Sequence, residues 1–247
     1  FRSNYYTSEA NRYKNYLLHI LADAGASIEE VEAYANSYGD GSREALLAIY
    51  RERGETEREM KFLENLISSM PVWNRNRLAY EISLKDIYKS RGMEEQYGGL
   101  LETMFYENPG QEEIYKEYRS RFTNEEWETK IEIILPRLRK QSRAMPFFAA
   151  EKRYDYLMEA AEDICNFLGY EEVLKPLYPR RCLAIHVRRA EGSMNGANNR
   201  SGYRSVKEIL REMMSYPEGP ETAAGLAQRF RMEYPRRRAL IEELKEF

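Results

Sequence analysis

Hydrophobic positions recur at helical spacing along nearly the whole chain. The clearest pattern runs from Arg43 to Ile67 and returns from Glu81 to Phe105, an offset of 38 residues. Leu46, Ile49, Tyr50, Arg53, Gly54, Glu57, Leu63 and Glu64 reappear as Leu84, Ile87, Tyr88, Arg91, Gly92, Glu95, Leu101 and Glu102. Each copy predicts an amphipathic helix, a glycine stop and a second amphipathic helix. A recurrence of this length predicts an array in which each unit covers its neighbour's apolar face. Gly54 and Gly92 are therefore expected at equivalent helix ends.

The flanks read in the same terms. Tyr13, Tyr16, Leu17, Ile20, Leu21 and Ala24 predict a helix packed on one face and stopped by Gly25. Ser27 with Glu30 is a capping box that opens a short helix through Tyr34 to Tyr38-Gly39. Ser42 is expected to cap the first repeat helix, Thr56 with Glu59 to form a second box, and Pro71 to mark an exit. Asn108-Pro109-Gly110 closes the second copy, and beyond it the repeat blurs. Ile114, Tyr115, Tyr118 and Phe122 give one helix face; Asn124 is expected to cap the next, with Trp127, Ile131, Ile134 and Leu135 inside. Pro136 within that pattern predicts a kink or break, at a cost of about 3 kcal/mol. Met145-Pro146 then opens a long helix through Tyr154, Leu157, Met158, Ala161 and Ile164, ending at Gly169.

In the last third, Tyr178-Pro179-Arg180-Arg181 returns as Tyr234-Pro235-Arg236-Arg237, and both prolines are expected in a helix's first turn. Between them Gly192 to Gly202, rich in Gly, Asn and Ser, reads as the longest flexible loop. Helices follow through Val206, Ile209, Leu210 and Met213, then through Ala223, Ala224, Leu226, Ala227 and Phe230, with Leu240, Ile241 and Leu244 at the end. No stretch sustains β alternation. The predicted fold class is all-α, a helical-repeat superhelix (an α-solenoid of TPR- or HEAT-like hairpins) of about 12 to 14 helices. It spans 1–247 as one solenoid, with hairpin repeats over 1–145 and a basic helical part over 146–247.

Composition changes this picture little. Of 247 residues, 43% are hydrophobic and 32% charged, as in a folded protein with a highly charged surface. The net charge of −3 points to no particular partner, but its distribution is uneven. Residues 175–247 carry 15 Lys and Arg against 9 Asp and Glu, whereas 1–174 carry 23 against 32. A basic end thus follows an acidic body. Two cysteines, Cys165 and Cys182, make no disulfide framework, so a reduced, cytoplasmic setting is expected. No signal peptide and no apolar run near 18 residues occurs, so no membrane association is expected. The chain begins at Phe1 rather than Met, and we read it as part of something longer.

Candidate chemistry is sparse. Cys182 and His186 lie four apart, on one helical face and within reach of one metal ion. A structural zinc site needs four ligands and Cys165 would add only a third, so the favoured reading is a small apolar Cys and a partly buried His on a packing face. His19 is isolated among leucines and an isoleucine. Glu29-Glu30, Glu125-Glu126 and Glu242-Glu243 read as solvated carboxylates of first turns and polar faces. Gly98-Gly99 reads as a place of close helix packing, since no phosphate-binding glycine pattern exists. Tyr50, Tyr88 and Tyr118 occupy core-facing positions from which a hydroxyl can reach the rim. No cofactor, metal or catalytic group is assigned.

The one sharp charged feature comprises Arg180, Arg181, Arg188 and Arg189 with Arg236, Arg237 and Arg238. These are the candidate anion- or partner-binding residues, able to grip an acidic peptide or a phosphate backbone. The alternative, favoured by the abundance of Glu and Asp, is that they pair with carboxylates on neighbouring helices and fix the stacking angle.

The tail Arg200-Ser201-Gly202-Tyr203-Arg204, with Leu210, Tyr234-Pro235-Arg236-Arg237, Ala239-Leu240 and Glu243-Leu244, resembles the C-terminal helical region of bacterial SWIM-type zinc finger proteins. Glu151-Lys152-Arg153-Tyr154-Asp155 with Leu157-Met158 is similar to an earlier element of that region. The likeness covers the last 100 or so residues directly. The family's zinc element, Cys-x-Cys and later Cys-x-His, has no match here, and no zinc role carries over. The expected function is a non-enzymatic interaction module with a protein partner, attached to a SWIM-type finger elsewhere. The alternative is nucleic-acid binding through the basic last third.

Overall fold

The computed structural model describes residues 2–37, 39–162 and 165–247, without the side chains of 2–8, 10, 39, 40, 165 and 166. The expected stop at Tyr38, the position of Ile164 and the side chain of Cys165 lie outside the described residues. The chain is all-helical, with no strand among the described residues. It forms two compact units, Phe1–Glu107 and Asn108–Phe247. The division falls at the Asn108-Pro109-Gly110 turn; Met145-Pro146 lies inside the second unit.

The first unit runs α1 (Arg2–Asp23), α2 (Ile28–Ser37), a 3-10 turn (Gly39–Ser42), α3 (Arg43–Arg53), α4 (Thr56–Ser69), α5 (Arg77–Ser90) and α6 (Glu94–Glu107). α3 packs on α4, α4 on α5 and α5 on α6, while α1 rests on α2, the 3-10 turn and α3. The recurring apolar positions form this core: Leu46, Ile49, Tyr50 and Leu63 are buried, as are Leu84, Ile87, Tyr88 and Leu101. Burying one such aliphatic side chain contributes about 1.5–3 kcal/mol.

Gly54 and Gly92 end α3 and α5 alike. Their φ values are +69° and +68°, the left-handed region that glycine enters at no steric cost. Gly54 N–H donates to Arg51 O and Glu55 N–H to Tyr50 O; Gly92 N–H donates to Lys89 O and Met93 N–H to Tyr88 O. This is the Schellman closure, which satisfies carbonyls that a helix end would leave open. Gly25 closes α1 in the same way.

The starts are less faithful to the local pattern. The Ser27–Glu30 box forms in both directions, at 2.8 and 3.3 Å. The Thr56–Glu59 box does not. Thr56 is already helical, and Glu59 turns inward to pair with Arg51 at 2.6 Å. Ser42 precedes α3 but is buried and makes no side-chain cap. Helix α1 also reverses its expected face: Leu18 is the buried residue, and Tyr13, Tyr16, Leu17 and Ile20 face solvent.

The second unit runs α7 (Glu112–Arg119), α8 (Asn124–Leu138), a 3-10 turn (Ser142–Ala144), α9 (Met145–Ala150), α10 (Tyr154–Glu162), a 3-10 helix (Cys165–Tyr170), α11 (Glu171–Leu174), α12 (Pro179–Gly196), α13 (Arg200–Met213), α14 (Gly219–Glu233) and α15 (Arg238–Glu243). Thr123, one residue before the expected Asn124, caps α8, because only Thr123 has a Glu three residues on to complete the box. Pro136 sits exposed in the last turn of α8, and the helix breaks at Arg139 instead. The expected long helix from Met145 is interrupted at Glu151–Arg153, where Lys152 takes φ +54°. The interruption lets the Glu151 carboxylate accept from Tyr115 Oη at 2.5 Å and Trp127 Nε1 at 2.9 Å, closing an aromatic cluster.

Two expectations for the last third fail. Most of Gly192–Gly202 is helical, in the end of α12 and the start of α13, leaving only 197–199 as connection. Met194 and Ala197 are buried and α12 packs along α13, so burial overrides weak helix propensity. Pro179 does open α12, but Pro235 lies in a turn between α14 and α15. The Tyr-Pro-Arg-Arg echo therefore has no common structure.

Candidate functional site

The Cys182–His186 face of α12 is buried in the second unit, where both side chains are inaccessible to solvent. His186 Nε2 lies 3.1 Å from Glu171 Oε1, and its Nδ1 lies 2.8 Å from Arg189. Tyr216 Oη donates to the same Glu171 oxygen at 2.6 Å, and the rings of Phe167 and Tyr216 pack edge-on against the imidazole. Burial pushes the Glu171 carboxyl up, but the hydrogen bonds from Tyr216 and His186 outweigh it and hold the group below its ordinary range. Burial, reinforced by Glu171, raises the Cys182 thiol to about 11, so a thiolate nucleophile is disfavoured. No cluster of three or more His, Cys, Asp or Glu placed to hold a metal occurs among the described residues. Beside Tyr216 a cavity of about 220 Å³ is lined by Pro179, Leu183 and Pro217, with the Arg180–Glu218 pair also on its wall. The arrangement is that of a satisfied polar core.

Five of the seven arginines of the cluster have partners within the second unit. Arg180 pairs with Glu218 at 2.8 Å, Arg181 with Glu162 at 2.7 Å and Arg189 with Glu212 at 2.9 Å, while Arg188 donates to the Glu162 carbonyl. Arg237 donates to Ala197 O past the end of α12 and stacks 4.2 Å from the Tyr234 ring. Arg236 and Arg238 are exposed and form no ion pair among the described residues.

A second basic set was not legible as a unit in the sequence. Arg200, Arg204, Lys207 and Arg211 line one face of α13 at helical spacing. Opposite them, Glu243 accepts from Arg200 at 2.7 Å and Arg204 at 3.3 Å, Glu242 from Arg200 at 3.1 Å, and Glu246 from Arg211 at 2.7 Å and Lys207 at 2.9 Å. Glu242-Glu243 is thus a clamp rather than a solvated pair. Many of the last third's cations are thus engaged by carboxylates of the same stretch, although its excess of basic over acidic residues remains.

In the first unit, the turn between α4 and α5 carries a different signal. Trp73 is 86% exposed and its neighbour Val72 is 54% exposed. Asn74 N–H closes a turn onto Pro71 O at 3.0 Å, and Arg77 N–H closes the next onto Asn74 O at 3.0 Å. Arg77 anchors the base: it donates to Ile67 O at 2.9 Å and Met70 O at 2.6 Å and pairs with Glu81 at 2.7 Å and Glu107 at 3.4 Å. Burial drives the Glu81 carboxyl up, with Glu107 adding to the push. A large exposed indole on a turn whose backbone is already hydrogen-bonded has the composition of a binding hot spot, because the backbone needs no further ordering and the side chain has only two χ angles to fix. Sequence periodicity passed over Trp73 because it lies in no helix. The available sign was Val72-Trp73 directly after a helix-ending proline, in a chain with only 2 tryptophans.

No helix among the described residues is long and apolar enough to cross a membrane. In comparisons with known proteins, no family model, no curated protein and no solved structure matches this chain.

Proposed function

We propose that the chain is a non-enzymatic protein–protein interaction module, a cytoplasmic α-solenoid that forms the C-terminal part of a larger SWIM-type zinc finger protein. The observation that carries the binding role is Trp73, almost fully exposed on a turn clamped by Arg77. The solenoid reading is supported by the matched closures at Gly54 and Gly92 and by the sequential packing of α3 to α6. The family reading rests on the tail residues Arg200–Arg204 and Tyr234–Arg237. Quantitative affinity capture with the wild-type chain and Trp73→Ala tests the binding role: the variant loses partners that the wild type retains. Equal partner sets at equal folded concentration overturn it.

Nucleic-acid binding through the basic last third is the weaker reading. The pairing of Arg180, Arg181, Arg189, Arg200, Arg204 and Arg211 with carboxylates leaves few cations for a phosphate backbone. What favours it is that Arg236 and Arg238 are exposed without an acidic partner among the described residues. Anisotropy titration with DNA and RNA at low salt decides it: no binding ends that reading, and a strong salt slope revives it.

A further inference from the structure

Helix α1 is built the wrong way round for a helix with only one covered side. Its inward face presents Leu18 with Asn11 and Asn15, and Asn15 Oδ1 is buried without a hydrogen-bond partner. Its outward face presents Tyr13, Tyr16, Leu17 and Ile20, which are 67%, 65%, 48% and 45% exposed. These four fall at i, i+3, i+4 and i+7, so they form one continuous apolar stripe. Scattered exposed apolar residues need no explanation, but a helical stripe of two tyrosines, a leucine and an isoleucine marks a contact surface.

The charges beside the stripe say what fits it. Arg12 and Asp23 are exposed on the same flank, at opposite ends of the stripe, and neither forms an ion pair among the described residues. Asp23 is the last residue of α1, and no basic side chain lies in that turn. A carboxylate there meets the negative end of the helix dipole, so a cation supplied from outside is favoured. In an antiparallel pairing of two α1 helices about a twofold axis, equal flanks face each other. The axis then passes near residues 17 and 18, and Arg12 of one copy lies beside Asp23 of the other, twice over. A parallel pairing instead sets Arg12 against Lys14.

We propose that α1 docks antiparallel on α1 of a second copy of this chain, through Tyr13, Tyr16, Leu17 and Ile20, with two reciprocal Arg12–Asp23 ion pairs. The stripe covers about two turns, so the contact is smaller than a standard interface and the pair is a reversible one. Self-association does not depend on the partner role of Trp73, which lies on another element.

Sedimentation equilibrium of the full chain over about 1 to 500 μM, a range that brackets a weak pair, tests this. The wild type is expected to rise from one to two chain masses, and Leu17→Glu to remain at one with an unchanged helical circular dichroism spectrum. Arg12→Asp and Asp23→Arg should each self-associate at least tenfold more weakly, while an equimolar mixture recovers wild-type association, because the two variants complement each other. A wild type monomeric throughout overturns the proposal and leaves the stripe to another occupant. Dimers that survive Leu17→Glu, or masses beyond two chains, overturn the surface. Charge variants that fail to recover on mixing overturn the antiparallel register even if Leu17→Glu proves unfolded.

Discussion

His186 Nε2 lies 3.1 Å from Glu171 Oε1 across the buried centre of the second unit, and Tyr216 donates to that same oxygen. Removing one member of a buried hydrogen-bonded set exposes the others to an unsatisfied interior, which costs more than the bond itself contributed. His186→Ala is therefore expected to lower stability by about 2–4 kcal/mol in urea unfolding. Glu171→Gln, which keeps an acceptor for Tyr216, should lose about 1–2 kcal/mol at neutral pH. The Glu171 carboxyl is held below its ordinary 4.5, so its contribution is present above that pH and lost as pH falls through the folded value. The gap between Glu171→Gln and wild type should accordingly narrow below about pH 4.5. A gap constant from pH 7 to pH 3 would contradict the network.

Glycine substitutions should divide by backbone angle. Gly54 and Gly92 have open space where a Cβ would stand, so substitution there meets only the left-handed backbone. Gly54→Ala and Gly92→Ala should each destabilise by about 1 kcal/mol. Gly99 also faces open space but lies in the interior of α6, so of the Gly98-Gly99 pair this residue makes no close helix contact. Gly99→Ala should stabilise by about 1 kcal/mol. Lys152 occupies a Schellman position at φ +54°, with Lys152 N–H on Ala149 O and Arg153 N–H on Phe148 O. Lys152→Gly should gain about 1 kcal/mol for the same reason that Gly92→Ala loses it. Denaturant midpoints at unchanged slope give all four values.

Legibility followed the range of the interactions involved. The ends of α3 and α5 were readable because a Schellman closure is made by neighbours in sequence, and so was the Ser27–Glu30 box. Where a distant group competes, local signals fail: Arg51 draws Glu59 away from Thr56, and burial of Met194 carries helix α12 on to Gly196. Periodicity located the stripe on α1 but carries no information on whether anything covers it. The arginines were visible as a cluster, yet their roles depended on which helix brought each carboxylate near. Arg180 and Arg181 are one peptide bond apart and pair with Glu218 and Glu162, on opposite sides in sequence.

The clamp between α13 and the end of the chain should release in acid. Hydrogen bonds from Arg200 and then Arg204 hold the Glu243 carboxyl below its ordinary range, and Arg211 and Lys207 do the same for Glu246. Both are depressed groups, so the clamp is intact above about pH 4.5 and weakens as pH falls through the folded values. Amides of α15 should exchange with solvent faster at pH 3, after correction for intrinsic rates, while those of α12 remain protected. Arg200→Ala should produce the same local loosening at pH 7. Uniform exchange across the second unit would show that the clamp does not act locally.

Tyr50 places its hydroxyl on Glu32, Tyr88 on Glu64, Tyr115 on Glu151 and Tyr216 on Glu171. Burial, then the adjacent carboxylate, drives each phenol well above its ordinary 10. Ionising any of them would bury a phenolate against a second negative charge. The sign is that of a raised pKa: the stabilisation is complete below pH 10 and lost as pH rises through the folded value. Absorbance at 295 nm should show these four silent near pH 10–11 and then ionising together with loss of helix. Tyr88→Phe isolates one of them. Glu64 is exposed and can take up water in place of the phenol, so the substitution should cost about 1 kcal/mol at neutral pH without altering the fold. In the alkaline range its stability should fall less steeply, by one proton or about 1.4 kcal/mol per pH unit. If all 20 tyrosines titrate near pH 10 with helicity intact, the hydroxyl–carboxylate contacts are not formed in solution.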